Sequence, residues 1–344
     1  MAKPVAKQSV LLVCPGRGTY GAAELGTLAR NAGHPDLARF DALRAANGAP
    51  TLSELDRAAK FSPALHASGG NAAPLIYAAG WLDFLALDPE RFEVVAVTGN
   101  SMGWYTALAC AGAVSGEDGF AIADAMGTHS GRHGDGGQLL VGIVGEDWCA
   151  VPNLRAEILA CAARHGAMLS IDLGGMLVLA GTTAALDALA RDLPPLPVRP
   201  AMRLAGHGPF HTPLMAQSSR AALAGLPDNW FGRPRVPLID GTGRIWRRHA
   251  TDPAALHAYT FTAQILEPYD FAMAIAVGIK EFAPDRIVLV GPGDTLGGAI
   301  GQTLVRHGWL GMRDKAAFSA RQAADPFLIA MGRADQRTLV EAWQ

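Results

Sequence analysis

The chain has 344 residues, half of them hydrophobic (50%), and its 29 basic residues nearly balance 31 acidic ones. The length is sufficient for a large domain plus a smaller one, and the hydrophobic content predicts a well-buried globular protein and excludes an intrinsically disordered chain. A net charge of −2 without a basic cluster argues against nucleic acid or an anionic membrane surface as a partner.

The cysteines and the N-terminus indicate the compartment. Four cysteines are scattered without Cys-x-x-Cys spacing, mostly among apolar residues, as is typical of a reducing environment. No run of about 18 apolar residues occurs, and no apolar signal segment follows Met1–Gln8. We therefore expect a cytoplasmic protein.

The first predicted strand, Ser9–Cys14, leads into a glycine-rich loop and a predicted helix over Ala22–Asn31. The loop fits Gly-x-Gly-x-x-Gly, but a dinucleotide site also needs a second strand that ends in an acidic residue about 20 positions later. The next segment, Gly33–Lys60, is polar and helical instead. We interpret the loop as a source of backbone N–H groups beside the serine motif that follows.

That motif is Gly-x-Ser-x-Gly, with Ser101 at its centre. A helix over Asn71–Leu87, apolar on nearly every face, leads into an apolar strand at Val94–Val97, and another helix is predicted at Ala107–Ala111. In this strand–turn–helix setting the serine sits on a strained turn, and the amide of Met102 can stabilise an oxyanion. The pattern predicts a serine nucleophile; the alternative is a plain glycine-rich turn.

From Gln138 onward the pattern changes to the order βαββαβ, which is the split arrangement of a ferredoxin-like subdomain. We place this subdomain at residues 136–205, between the two parts of a larger domain at 1–135 and 206–344, and expect it to form one wall of a cleft. Its elements are strands at Leu139–Val144, Met168–Ile171, Met176–Leu179 and Val198–Leu204, and helices at Arg155–His165 and Thr183–Asp192.

The rest of the larger domain is predicted to contain a helix at Glu117–Met126 followed by the glycine-rich Gly127–Gly137, a helix from Thr212, a strand at Val236–Ile239, helices at Pro253–Ile265 and Phe271–Lys280, and a strand at Arg286–Val290. No Gly-Lys-Ser/Thr follows that last strand, so a nucleotide-phosphate loop is not predicted.

A serine nucleophile needs a base, normally a histidine. Five of the ten histidines lie in polar loops, where a solvated side chain is the simpler interpretation (His34, His129, His133, His249 and His307). His211 follows the predicted subdomain boundary and opens a helix, and His207 is its close competitor. The residues alone favour His211 over His207 as the base, but they leave both histidines open.

Four motifs lie in register along the chain: Pro15–Gly18, Gly99–Gly103 followed by Ala109–Gly112, Pro209–Met215 and Val290–Gly293. In order and spacing they resemble those of the malonyl-CoA:acyl-carrier-protein transacylases and of polyketide synthase acyltransferase domains. The resemblance covers roughly residues 8–310. It implies an α/β fold, with an α/β-hydrolase-like large domain and an inserted ferredoxin-like small subdomain.

The resemblance also assigns roles. It implies that Ser101 is the acylated nucleophile and His211 its general base, in ping-pong acyl transfer. The backbone carbonyl of Gln264 would orient the histidine, and the amides of Met102 and Arg17 would form the oxyanion hole. Acyl-CoA or a phosphopantetheinyl carrier protein would be the substrate, acyl carrier protein the partner, and neither a cofactor nor a metal would be needed.

Four further residues are expected at the substrate. Asn71 falls where the family has a pocket glutamine, and Asn100 replaces the histidine beside the nucleophile, while Phe210 precedes the base. Met126 stands where the malonyl enzymes carry an arginine that pairs with the free carboxylate of the substrate. Because a thioether cannot balance a buried carboxylate, the sequence predicts that the acyl group is not malonyl.

Several functions fit these residues. The leading hypothesis is a transferase for a neutral or unusual acyl group; the second is a hydrolase that removes acyl groups from a carrier protein. A non-catalytic relative that only binds carrier protein is disfavoured because Ser101 and His211 are both retained. A malonyl transferase also stays open, since Arg17 could supply the missing cation.

Overall fold

The computed structural model describes residues 6–130 and 135–342. Its strands are β1 (Gln8–Cys14), β2 (Phe92–Gly99), β3 (Gly137–Gly142), β4 (Met168–Asp172), β5 (Met176–Gly181), β6 (Met202–Arg203), β7 (Leu238–Ile239), β8 (Ile245–Trp246), β9 (Tyr269–Asp270), β10 (Arg286–Leu289) and β11 (Leu328–Ala330).

The α-helices are α1 (Pro35–Ala46), α2 (Leu52–Asp56), α3 (Pro63–His66), α4 (Gly69–Ala86), α5 (Gly103–Cys110), α6 (Gly116–His129), α7 (Leu154–Arg164), α8 (Thr183–Asp192), α9 (Ala216–Gly225), α10 (Pro253–Phe261), α11 (Ala263–Leu266), α12 (Phe271–Phe282), α13 (Gly297–Arg306), α14 (Lys315–Ala324) and α15 (Ala334–Arg337). None of the helices in the described part of the chain is both long and apolar enough to cross a membrane.

The larger sheet has six strands in the order β11-β10-β1-β2-β7-β8. All neighbours are parallel except β7 and β8. In β1, Val10 and Leu12 pack with α4, α5 and α6, whereas Leu11 and Val13 pack with α12 and α13 on the opposite face. Because both faces of this central strand are covered, β1 is apolar at every position from Val10 to Cys14.

The smaller sheet has five strands in the order β6-β3-β5-β4-β9. Its first four strands are antiparallel, and β9, which comes from much later in the chain, pairs in parallel with β4. Helices α7 and α8 cover one face through Leu139, Leu177 and Leu179. Ile171 and Val178 on the other face pack toward α12 and α13, so this sheet leans against the larger one.

Three predicted elements differ from the structure. The helix expected at Ala22–Asn31 is wrong: two short 3-10 helices (Ala22–Glu24 and Thr27–Asn31) are separated by Gly26, whose φ is 85°. The strand expected at Val198–Leu204 is reduced to β6, because the proline-rich segment before it cannot donate ladder hydrogen bonds. The helix expected at Pro253–Ile265 breaks at Thr262 into α10 and α11.

Candidate active site

The Gly-x-Ser-x-Gly motif forms a sharp turn between β2 and α5. Ser101, at its centre, has a φ of 55°, in the left-handed region that non-glycine residues rarely adopt. The turn also lies close to β1, since a Cβ added to Gly103 would lie 2.2 Å from the carbonyl oxygen of Cys14. The glycines therefore allow the close packing that holds the serine in this strained conformation.

His211 lies directly against this serine. Its Nε2 is 2.8 Å from Ser101 Oγ, and its Nδ1 is 2.7 Å from the backbone oxygen of Gln264. Because a carbonyl oxygen only accepts, Nδ1 carries the proton, and Nε2 is free to accept from the serine hydroxyl. Burial lowers the pKa of His211 to about 4, and the bond to Gln264 opposes that shift only partly.

The side chain of Gln264 makes a second contact with the turn that carries Ser101. Its Nε2 donates to the backbone oxygen of Ser101 at 3.0 Å, and its Oε1 accepts from the Tyr105 hydroxyl at 3.4 Å. Gln264 thus contacts His211 through its backbone oxygen and the turn at Ser101 through its side chain. Tyr105 was not singled out from the sequence, although it lies about one helical turn after Ser101.

The predicted oxyanion amides lie on the two segments that meet at this turn. The loop that contains Arg17 packs closely against the turn at Ser101. A Cβ added to Gly16 would lie only 2.6 Å from the Asn100 backbone oxygen. In the described residues, neither the amide of Met102 nor that of Arg17 donates to a backbone or side-chain acceptor. Both amides are therefore available to an external oxygen.

Two cavities open from Ser101. The larger one is a cleft of about 420 Å³ between the sheets, with polar groups from the Arg17 loop and Asn100 on one side. The smaller cavity, about 30 Å³, lies beside α6. The cleft is walled mainly by apolar side chains of the smaller sheet and α13 (Leu140, Ile171, Leu173, Met176, Val178, Met202, Leu204, Leu296 and Ala299).

Met126 and Phe210 both line the smaller cavity with Ser101. Met126 is buried, with 2% of its surface exposed. Phe210 also reaches the larger cleft, as does Asn100, whose buried Oδ1 has no hydrogen-bond partner in the described part of the chain.

Arg17 borders both cavities and is held by backbone oxygens rather than by an acid. Its Nη2 donates to Ala67 at 2.9 Å and to Gly206 at 2.8 Å, while its buried Nε lacks a partner within residues 6–130 and 135–342. Burial lowers the pKa of Arg17 to about 10, so the guanidinium stays charged at neutral pH. Among the described residues no acidic group pairs with this cation, which lines the same two cavities as Ser101.

Asn71 is not brought into the site. Its Oδ1 accepts from Arg44 Nη2 at 2.5 Å, and its Nδ2 donates to the backbone oxygen of Leu65 at 3.0 Å. The residue borders a separate surface cavity that does not include Ser101. The expectation that it lines the acyl pocket is therefore corrected: its amide is occupied by the buried Arg44, a contact that the sequence does not reveal.

His207, the competing base, lies in the wall of the larger cleft. Its Nδ1 is 2.9 Å from Gln138 Oε1, whereas the Ser101 hydroxyl is engaged by His211. Gln138 was not singled out, although a polar residue in an apolar strand was a visible signal. His133, another histidine named above, lies outside the described residues.

No protein-family model and no curated protein matches this chain. Its structure, however, resembles a malonyl-CoA acyl carrier protein transacylase from Coxiella burnetii (TM-score 0.74, 17% identity, 97% of each chain covered). The malonyl-CoA:acyl carrier protein transacylase of Xanthomonas oryzae is also similar (TM-score 0.72, 20% identity, 98% of this chain and 100% of that one).

A third similar structure is a malonyl-transacylase in complex with a type II PKS acyl-carrier protein (TM-score 0.70, 17% identity, 87% of this chain and 93% of that one). These matches agree with the resemblance carried by the four sequence motifs. The chain has the fold of the malonyl-CoA:acyl carrier protein transacylases.

Proposed function

We propose that this chain is an acyltransferase that moves an acyl group between CoA or carrier-protein thioesters through an acyl-Ser101 intermediate. The observation that carries the proposal is the hydrogen-bonded series from Ser101 through His211 to the Gln264 carbonyl, beside two available amides. A nucleophile, an oriented base and oxyanion donors are the parts that acyl transfer requires.

In the first half-reaction, Ser101 Oγ attacks the thioester carbonyl carbon while His211 Nε2 takes the hydroxyl proton. The amides of Met102 and Arg17 donate to the oxyanion that forms. The carbon–sulfur bond then breaks, and the leaving thiolate receives the proton from His211. In the second half-reaction the acceptor thiol gives its proton to His211, and its sulfur attacks the carbonyl carbon of acyl-Ser101. The bond between that carbon and Ser101 Oγ then breaks, and His211 returns the proton to Oγ, which restores the free serine and the neutral base.

The domain organisation belongs to the same proposal. Residues 136–205 would form a ferredoxin-like subdomain inserted into an α/β-hydrolase-like domain made of 1–135 and 206–344. The order β6-β3-β5-β4 supports this, because in chain order it places the fourth strand beside the first and the third beside the second. Parallel pairing of β4 with β9 fastens the subdomain to the larger one.

For the acyl group, we favour a short neutral one. Met126 and Phe210 give the smaller cavity apolar walls, and about 30 Å³ is room for one or two water-sized groups. A carboxylate placed against the Met126 thioether would gain no partner there, and leaving a buried charge unpaired costs several kcal/mol.

One observation favours a second candidate, a malonyl transferase. Arg17 lines the same smaller cavity and carries a buried Nε with no partner in the described residues. A carboxylate that reached Nε would satisfy this donor and neutralise the cation through a charge-assisted hydrogen bond. In this candidate Arg17 replaces the arginine that is absent at Met126.

The partner and setting follow from the proposed reaction. Acyl carrier protein is the expected partner, and one similar structure holds a malonyl-transacylase with such a carrier. Fatty-acid or polyketide synthesis in the cytoplasm would use this chemistry, with no metal or cofactor.

The proposal is tested by measuring intact protein mass after incubation with a panel of acyl-CoA and acyl-carrier donors. Native protein should gain one acyl group, and Ser101→Ala should gain none while keeping its fold, because the serine side chain does not support the core. Adding holo carrier protein should then discharge the adduct faster than water does. Labelling that persists in Ser101→Ala would refute the nucleophile, and discharge by water alone would make the protein a hydrolase.

A further inference from the structure

A series of buried hydrogen bonds connects the peptide of the base to a second histidine. The Phe210 backbone oxygen, which belongs to the peptide preceding His211, accepts from Ser170 Oγ at 2.9 Å. Ser170 Oγ lies 2.8 Å from Gln138 Nε2, and Gln138 Oε1 lies 2.9 Å from His207 Nδ1. Ser170 and Gln138 are buried, so the series is shielded from solvent.

These contacts determine the tautomer of His207. Ser170 has one hydroxyl proton and must give it to the Phe210 oxygen, because a carbonyl oxygen cannot donate. Ser170 Oγ therefore accepts from the Gln138 amide nitrogen, which leaves Gln138 Oε1 facing His207. Only a protonated Nδ1 can make that contact, so Nε2 of a neutral His207 carries a lone pair.

The ring is neutral, and it lines the cleft. Burial lowers the pKa of His207 to about 3, with the nearby charge of Arg17 acting in the same direction. Nε2 lies near Gly18, since a Cβ added there would be 3.9 Å from it, and Gly18 and His207 both line the cleft. Within the described residues no donor contacts Nε2, although the ring borders the cleft that contains Ser101.

We propose that His207 Nε2 accepts a hydrogen bond from an amide N–H of the arm that carries the thioester, and so positions the thioester at Ser101. This inference rests on the proposed acyl transfer. Thioesters of CoA and of carrier proteins share an N-acylcysteamine arm, in which an amide N–H lies two carbons from the sulfur. His207 is then a positioning residue, distinct from the base.

The test compares two donors that differ only at that N–H. One is the acetyl thioester of N-acetylcysteamine, and the other is S-(2-acetoxyethyl) thioacetate, in which an ester oxygen replaces the N–H; the matching malonyl pair is run in parallel. The rate of Ser101 acylation is followed by intact mass, and kcat/KM is compared. Native protein should prefer the amide donor roughly tenfold, the gain expected from one hydrogen bond at a partly buried acceptor.

Three variants separate positioning from folding. His207→Ala should reduce the amide-to-ester ratio to about one, since the acceptor is gone. His207→Gln, the matched control, retains a side-chain acceptor and should retain most of the preference. Gln138→Met keeps the imidazole but removes the oxygen that selects its tautomer, and should give an intermediate ratio even if His207→Ala does not fold.

Two results would overturn the role of His207 while leaving acyl transfer intact: a ratio near one in native protein, or a native ratio in both His207→Ala and Gln138→Met. Failure of every donor in the CoA and carrier panel to label Ser101 would overturn the proposed function, and this inference with it.

Discussion

At Ser101 the proposed reaction depends on one proton acceptor, His211. His211 Nε2 is 2.8 Å from the serine oxygen, and the ring is oriented by the Gln264 carbonyl. His211→Ala should therefore slow acylation of Ser101 by roughly 10²–10⁴-fold, the usual loss when a general base is removed. Single-turnover labelling measures this rate directly.

His207→Ala is the matched control, because it removes an imidazole from the same cleft. We expect it to slow acylation only about tenfold, through lost positioning. If His207→Ala were the more damaging change, the base would have to be reassigned to His207.

The buried base also predicts a pH profile. Burial holds the pKa of His211 at about 4, and the imidazole must be neutral to accept the serine proton. The acylation rate should thus rise with pH through about 4 and then stay level from pH 6 to 8. A profile of single-turnover rates that climbs between pH 6 and 7.5 would contradict this, because it would require a histidine with an ordinary pKa.

In the proposed function, the residue at position 126 in the smaller cavity determines which acyl group is accepted. We expect native protein to prefer acetyl over malonyl donors, and Met126→Arg to shift that preference toward malonyl by roughly 10–100-fold through a charge-assisted hydrogen bond. Met126→Gln controls for the changed shape, since it adds polarity without charge. Acylation rates with both donors provide the measurement.

Arg17→Gln separates the two candidate functions in the same assay. If native protein transferred malonyl efficiently and lost that ability in Arg17→Gln, the carboxylate would bind at Arg17, and the neutral-substrate proposal would be wrong.

At the scale of elements, the site depends on how closely α5 approaches β1. A Cβ on Gly103 would lie 2.2 Å from the Cys14 oxygen and 2.7 Å from the Pro15 oxygen, and neither backbone atom can move alone. Gly103→Ala should lower the free energy of unfolding by about 1–3 kcal/mol, as in an overpacked core. Denaturant titration measures this.

Gly225→Ala is its control, since nothing lies within 4 Å of the added Cβ at the end of α9. It should be neutral or slightly stabilising. Equal losses of stability in the two variants would mean that the close approach of α5 to β1 is not what requires Gly103.

The elements nearest the site were predictable because their signals are local. The apolar residues of β2 and the glycines around Ser101 are both readable from neighbouring residues. Local signals failed where one residue interrupts a pattern: Gly26 splits a predicted helix, and Thr262 splits another.

Contacts between distant segments could not be read in this way. Asn71 occupies the expected sequence position, yet its amide is held by Arg44. Gln138 approaches His207 only because β3 lies beside the segment that leads to the base. Such pairings depend on tertiary packing, which neither periodicity nor motif spacing encodes.

For the whole molecule, one buried ion pair joins three distant parts of the chain. Asp83 of α4 accepts from Arg337 of α15, and its second oxygen accepts from the Gly291 amide at 2.9 Å, just after β10. Asp83 is 1% exposed. Helix α15 is thus connected to α4, the helix that precedes β2.

Arg337→Met should destabilise the protein by about 3–5 kcal/mol at pH 8, because it leaves the Asp83 carboxylate buried without its cation. Arg333→Met is the control; this exposed arginine pairs with Asp294 and Asp335, and its loss should cost about 0–1 kcal/mol. The measurement is denaturant unfolding of both variants and native protein at several pH values.

The pH dependence of the stability loss in Arg337→Met shows whether that loss comes from the unpaired Asp83 carboxylate. Burial raises the pKa of Asp83, and Arg337 opposes that shift, so removing Arg337 raises the folded-state pKa further above its unfolded value. A folded state that holds the proton more tightly gains stability relative to the unfolded chain as pH falls. The deficit of Arg337→Met relative to native protein should therefore shrink between pH 8 and pH 5. A deficit that stays constant over this range would assign the loss to missing packing contacts of the arginine rather than to an uncompensated carboxylate.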